Sequence, residues 1–360
     1  MWGRSKIFQS KQIACGSVFV RFPVFIHSYQ IQPMRIITLE EHVTFPELTN
    51  LIPEAILLNQ SVDQSVKLGK LASKLADVNG ERLNSMNASG ISLQVLSVAG
   101  AGADLLDAES GPAFAKKYND TLAQKMAENA DRFAAFAHLP MTAPEAAADE
   151  LERTVSTHQF KGALINGLTK GRFLDHPIFA PLLERAEKLD VPIYLHPGLP
   201  PKAVVAAYYS GLSEDAGTVL SVAGWGWHSE TAIHVLRLII SGTLDRYPTL
   251  KIIIGHMGEM LPMMMARCDE RFGVQQAGIN QRSISQTLKD QVYITTSGVF
   301  TLPPFKVALE TFGIDNILFS VDYPFSTNED GVRFLKSLPL PDDQLEKIAH
   351  GNAEKLLKLN

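Results

Sequence analysis

The stretch 191-VPIYLHPG-198 has the make-up of a β-strand covered on both faces. Its apolar residues run together without polar alternation, Pro-Gly punctuates the exit, and a histidine stands at the end. The same pattern recurs in 35-RIITLE-40, 91-ISLQVLSV-98, 133-FAAFAHLP-140, 162-GALING-167, 251-KIIIGHMG-258, 292-VYITTSG-298 and 317-ILFSVDYP-324. Between these runs lie amphipathic helical stretches such as 143-APEAAADELERTVSTH-158, 178-IFAPLLERAEKLD-190 and 230-ETAIHVLRLIISG-242, the last closing on a glycine stop signal. Eight successive β-then-α units predict an α/β protein built as a (β/α)8 TIM barrel rather than an open doubly wound sheet. The segment 99-AGAGADLL-106 lacks the third glycine of a dinucleotide fingerprint, and its aspartate comes too early, so it reads as a loop. The long connections 42–91 and 198–251 are expected on the catalytic rim or at a subunit contact.

The chain has 360 residues, a length that suits one such barrel. With 46% hydrophobic and 20% charged residues it is too apolar for disorder, and no apolar run is long enough to span a membrane. A net charge of −5 gives no electrostatic reason to bind nucleic acid. That charge is uneven. Residues 1–33 hold Arg4, Lys6, Lys11 and Arg21 and no acid, which leaves 29 basic against 38 acidic residues in 34–360, or −9. Two readings fit this leader: an organellar targeting segment, or an upstream start with Met34 as the first residue of the protein. The catalytic domain is expected to occupy 34–360. Without the leader, Cys268 has no partner for an intrachain disulfide, which fits a reducing compartment: the cytoplasm, or the mitochondrion if 1–33 is a transit segment. Cys268 itself reads as a small buried group in a helix rather than a nucleophile.

In a barrel of this kind the C-terminal strand ends face the active site. Here they carry Glu40-Glu41-His42, His196-Pro197, His256 followed by Glu259, and Asp322-Tyr323-Pro324. Strand alternation puts Glu40 and His42 on one side and Glu41 on the other. Each residue alone has a structural reading: a hydrogen-bonded histidine, a loop-anchoring Glu41, a helix-capping Asp322. Together, two carboxylates and three imidazoles at one mouth would carry a desolvation cost that a divalent cation relieves. Mixed nitrogen and carboxylate donors suit zinc or manganese, and magnesium less well.

Glu40-x-His42, 194-YLHPG-198, 252-IIIGHMGE-259, 294-ITTSG-298, 317-ILFSVDYPF-325 and 350-HGNAEKLLKL-359 together resemble the amidohydrolase superfamily. More narrowly, they resemble its metal-dependent decarboxylases of γ-resorcylate, 2,3-dihydroxybenzoate and aminocarboxymuconate semialdehyde. The resemblance covers residues 34–358. Two departures from the hydrolytic members stand out. The first position of their His-x-His opening is Glu40 here, and strand 4 carries Asn166, with Lys161 only at its start, where binuclear members place a bridging group. One divalent metal is therefore expected, zinc first, with manganese or magnesium as alternatives, and no organic cofactor.

The resemblance implies that Glu40, His42, His196 and Asp322 hold the metal and that Asp322 delivers a proton to the ring. His256 and Glu259 look like an oriented dyad, although Glu259 also fits a plain helix N-terminal carboxylate. Phe45, Trp227, His228, Tyr323 and Phe325 are candidate substrate contacts for a planar ring, while His138 and His234 read as structural. The expected activity is non-oxidative decarboxylation of a small hydroxylated aromatic acid by a homodimer or homotetramer. A metal-dependent hydrolase of a lactone, ester or amide is the alternative, and a non-catalytic binding barrel is a third class.

Overall fold

Among the described residues, eight parallel strands carry the fold: β1 (Ile37–Val43), β2 (Leu93–Val98), β3 (Phe133–Ala135), β4 (Ala163–Asn166), β5 (Ile193–His196), β6 (Ile252–Ile254), β7 (Val292–Thr295) and β8 (Ile317–Leu318). The computed structural model describes residues 34–60, 71–275 and 277–359, so the expected leader 1–33 and Cys15 lie outside the described residues. Within the unit Met34–Asn360, β1-β2-β3 form one sheet and β4 to β8 a second. They meet at two seams. Ala137 bridges to Ala163 between β3 and β4. Between β8 and β1, one backbone bond, His42 N to Tyr323 O at 2.7 Å, is joined by side chains. Glu40 N donates to Ser320 Oγ at 2.7 Å, and the Glu41 carboxylate accepts from Val321 N and Tyr323 N at 3.0 and 3.1 Å. Side chains thus replace ladder bonds just beyond β8, which is why the expected strand 317–324 is regular only at Ile317 and Leu318. This is the TIM-barrel type of α/β fold expected from the strand–helix alternation.

The apolar residues divide into two layers, as barrel geometry requires. Ile37, Leu39, Val95, Phe136, Leu164, Ile253 and Leu318 fill the space between the strands, joined by Ala353 and Leu357 of the last helix, Asn352–Leu357. The larger cluster lies between strands and helices. The helix Pro144–His158 shows the logic: Pro sits in its first turn, and Ala147, Leu151 and Thr154 bury one stripe at helical spacing. Truncating a residue such as Leu151 to alanine would cost about 2–5 kcal/mol.

One irregularity positions the site. The β1–β2 register shifts between Thr38 and Glu41. Ile37 and Leu39 point into the inner core, and unbroken alternation would send Glu41 after them. The shift changes the phase, so Glu40 and His42 face inward while Glu41 turns outward to the β8 seam.

The helix predicted over 230–242 begins earlier, at Gly226, and runs to Ile240. Trp227 and His228 therefore stand in its first turn rather than before it. Cys268 lies in the helix Leu261–Gln275, partly buried against the core rather than enclosed by it. Burial still raises its thiol pKa, as does Asp269, which keeps it a poor nucleophile.

Candidate active site

The inward phase of β1 delivers Glu40 to a space shared with the ends of β5, β6, β7 and β8. Glu40 Oε2 accepts hydrogen bonds from the hydroxyls of Tyr194 and Ser297. Its Oε1 is buried with no hydrogen-bond partner, 3.4 Å from His196 Nε2 and 3.9 Å from His256 Nε2. His42 Nε2 is equally buried and unpartnered, 3.2 Å from Asp322 Oδ1 but aligned for no hydrogen bond. Ligand atoms of Glu40, His42 and His196 fall within 4.8 Å of one another. The glycine at 255 belongs to this geometry: a Cβ there would come within 2.5 Å of Glu40 Oε2.

Each imidazole is aimed by its other nitrogen. His196 Nδ1 pairs with the Pro197 carbonyl at 2.8 Å and His42 Nδ1 with Ser97 Oγ at 3.2 Å, which leaves both Nε2 atoms facing the centre. Burial above all pushes both histidines down to about 4, so they stand neutral with a lone pair to offer. For Glu40 burial opposes ionisation, yet the attraction of His256 and the Ser297 hydrogen bond hold its pKa below the ordinary carboxylate value. Burial, reinforced by Glu40, raises Asp322 to about 7. His42 and Asp322 are therefore close without forming an ion pair near neutral pH. Asp322 also holds a left-handed backbone, φ 74°, a strained setting that its carbonyl bond from Ser326 N at 2.9 Å helps to fix.

A divalent cation fits this donor set. Two buried, unpartnered ligand atoms, Glu40 Oε1 and His42 Nε2, converge with the neutral imidazole of His196, and nothing else among the described residues satisfies them. Lys161 lies at the opposite end of β4, its Nζ 3.3 Å from the Lys358 carbonyl, so it cannot bridge a second ion.

The second polar group is a chain of hydrogen bonds. Past β6, positive φ angles at His256, Met257, Gly258, Glu259 and Met260 turn the backbone so that Glu259 folds back under His256. Glu259 Oε1 pairs with His256 Nδ1 at 2.7 Å and Oε2 with His228 Nδ1 at 2.6 Å, while His228 Nε2 reaches the Ala223 carbonyl at 3.0 Å. Burial disfavours charge on His256, but Glu259 and Glu40 outweigh it and push the imidazole up to about 10. Burial likewise opposes charge on Glu259, and His256 with the two hydrogen bonds brings it down to about 2. The dyad is a buried ion pair, not a plain helix-terminus carboxylate. Its donor atoms are spent on one another, so it is not a second metal site.

Residues 74–359 match the family described as Amidohydrolase. The chain belongs to the amidohydrolase family. It is 40% identical over 336 residues to the decarboxylase orsB of Emericella nidulans, covering 90% of this chain and 97% of that one. Among solved structures, a dihydroxybenzoic acid decarboxylase of Polaromonas sp. with bound manganese and the inhibitor 2-nitroresorcinol is 34% identical with a TM-score of 0.80, over 90% of this chain and 97% of that one. The 5-carboxyvanillate decarboxylase of Sphingomonas paucimobilis is 31% identical with a TM-score of 0.83, over 91% of this chain and 100% of that one. This amidohydrolase chain is an enzyme of the superfamily's decarboxylase branch and has a site for a divalent metal.

The aromatic candidates divide. Trp227 packs its ring 6.4 Å from His196, and Phe325, half exposed, lies edge-on 5.7 Å from His42. His228 joins the dyad. Phe45 and Tyr323 are corrected: both belong to the layer outside the strands. Phe45 is fully buried and stacks on Tyr118 at 5.2 Å, and Tyr323 packs beneath Arg82, 4.7 Å from its guanidinium. The odd-even alternation past β8 turns Tyr323 away when Asp322 faces in. His138 accepts from Ala103 N at 2.8 Å and His234 from Leu174 N at 2.9 Å, both in structural roles as expected. Sequence reading missed Tyr194, two positions before His196 and so on its face, and Ser297. It also missed Glu230, whose buried Oε1 has no partner.

Proposed function

We propose that this protein removes CO2 non-oxidatively from a hydroxylated aromatic acid of the dihydroxybenzoate or salicylate kind. The observation that carries this reading is the pair of buried, unpartnered ligand atoms, Glu40 Oε1 and His42 Nε2, with Asp322 beside them. Glu40, His42, His196 and Asp322 would hold the metal. When bound, the ion supplies Lewis acidity and positive charge for the substrate's carboxylate and neighbouring hydroxyl. Asp322, whose carboxyl burial raises to about 7 in the metal-free site, is the group placed to take up a proton and pass it on. It transfers that proton to the ring carbon bearing the carboxylate. The bond to the carboxyl carbon then breaks, its electron pair restores the aromatic ring, and CO2 leaves. Asp322 is reprotonated from solvent. His256, kept charged by Glu259, offers an imidazolium to the anionic substrate in a chain whose net charge is negative.

What favours decarboxylation over the hydrolase alternative is that the orsB and 5-carboxyvanillate relatives, matched over about nine-tenths of this chain, are decarboxylases. For the metal, the Polaromonas relative supports manganese beside the zinc expected from the donor types. Exposed apolar residues on the long connections and neighbouring helices, among them Tyr208, Trp225, Met263 and Ile279, support a homodimer or homotetramer. No helix among the described residues is long and apolar enough to cross a membrane, and a cytoplasmic location is our reading of the single cysteine in 34–360. The test is incubation of protein loaded with zinc or manganese with hydroxy- and dihydroxybenzoates. Release of CO2 with the matching phenol is expected, and no turnover across the panel refutes the reading.

A further inference from the structure

The helix Gly226–Ile240 buries Thr231, His234, Val235 and Leu238 against the barrel. The first turn of that buried face carries Trp227 and Glu230, three residues apart and therefore neighbours on the helix surface. Their polar ends, Trp227 Nε1 and Glu230 Oε1, are both buried and have no hydrogen-bond partner. No ion pair to Glu230 occurs among the described residues.

Their position is the catalytic rim. The Trp227 ring stands 6.4 Å from that of His196. Glu230 Oε1 lies against the exits of β4 and β5: a Cβ on Gly167 would meet it at 3.1 Å. Gly167 and Gly198 press so closely there that a Cβ on either would come within 2.8 Å of the other's Cα, and Gly167 has a positive φ of 51°. Only glycine meets both demands. The rim is thus narrowed to backbone there, with the Glu230 carboxyl against it and the Trp227 ring beside His196.

We infer that Trp227 and Glu230 form the subsite that reads a second hydroxyl on the aromatic ring, away from the metal-binding groups. This rests on the decarboxylase reading for the kind of ligand. An indole N–H can only donate, and a carboxyl oxygen can accept. A phenolic hydroxyl does both, accepting from Trp227 and donating to Glu230. A bare C–H at that ring position leaves both groups buried and unmatched, which is how polar sites reject analogues. Burial pushes Glu230 up to about 8, so its carboxyl is largely uncharged at neutral pH and does not repel an anionic substrate.

The test uses manganese-loaded full-length protein and nitro analogues, in which nitro stands in for the carboxylate. Calorimetry compares 2-nitrophenol with 2-nitrophenols carrying a second hydroxyl at each ring position. In the native protein one isomer should bind about 10- to 100-fold tighter than 2-nitrophenol. Glu230→Met should remove most of that preference, Trp227→Phe should reduce it, and Glu230→Gln, whose amide oxygen still accepts, should restore much of it. Glu230→Met should fold at least as stably as the native chain, because it replaces an unpartnered buried carboxyl with an apolar group of similar length. No preference in the native protein, or a preference that survives Glu230→Met, overturns the inference. Loss of the preference in Glu230→Met, in a protein that decarboxylates no benzoate, leaves the subsite standing and refutes the decarboxylase reading instead.

Discussion

Replacing Glu259 by glutamine removes one charge from a buried pair and keeps the side chain's shape. In the native protein His256 titrates at about 10 against an ordinary 6.5, and Glu259 at about 2 against 4.5. A rise from 6.5 to 10 corresponds to ~5 kcal/mol, to which Glu259 is the largest contributor and Glu40 the next. The depression of Glu259 reflects much of the same attraction and is not added to it. Breaking a buried pair by removing one partner costs about 3–5 kcal/mol, which agrees. The sign follows from each group. His256, raised on folding, contributes stability that is complete below pH 6.5 and lost as pH climbs to about 10. Glu259, depressed on folding, contributes stability present above pH 4.5 and lost as pH falls to about 2. The pair is therefore fully effective only between about pH 4.5 and 6.5. Urea unfolding of metal-free native protein and Glu259→Gln should differ by ~3–5 kcal/mol at pH 5.5. The gap should narrow steadily toward pH 10 and again below pH 4. In parallel, the His256 ring resonances of Glu259→Gln should titrate well below 10. A gap that stays constant from pH 5 to 10, or a His256 that still titrates near 10 in the variant, would refute the ion-pair account.

Gly255→Ala should deplete bound metal, since its Cβ would stand within 2.5 Å of Glu40 Oε2; metal content after gel filtration reads this directly. Tyr194→Phe removes one hydroxyl donor to Glu40 Oε2 and should weaken metal binding by about 10- to 100-fold in a chelator competition, while leaving the fold's circular dichroism unchanged. Glu41→Ala strips the β8 seam of the acceptor for Val321 N and Tyr323 N. It should cost about 2–5 kcal/mol in urea unfolding, and a loss below 1 kcal/mol would show that the seam is held otherwise.

The arrangement of strands was legible because each is covered on both faces, so composition alone separates it from the amphipathic helices between. The inward pairing of Glu40 with His42 was legible from alternation, but not from the residues before it. Counting from Ile37 and Leu39 gives the opposite phase, and only the register shift between Thr38 and Glu41 reconciles the two. Nothing in 35-RIITLE-40 announces that shift, because it depends on β2 and β8 as partners. The same dependence explains Tyr323 and Phe45. An aromatic residue beside a catalytic position attracts attention, yet one step along an extended chain reverses the face, and the layer outside the strands is as hungry for rings as a pocket. Trp227 could be found as an aromatic near a helix start. Glu230 could not, because a glutamate in an amphipathic helix reads as solvent-facing until the exits of β4 and β5 are seen to press against it. What marks it is the absence of any partner for a buried oxygen, a property of three-dimensional packing that no spacing rule encodes. Local pattern thus carried the scaffold and the four proposed ligands at the strand ends, while the residues that set their phase and aim their nitrogens arise from contacts between distant segments.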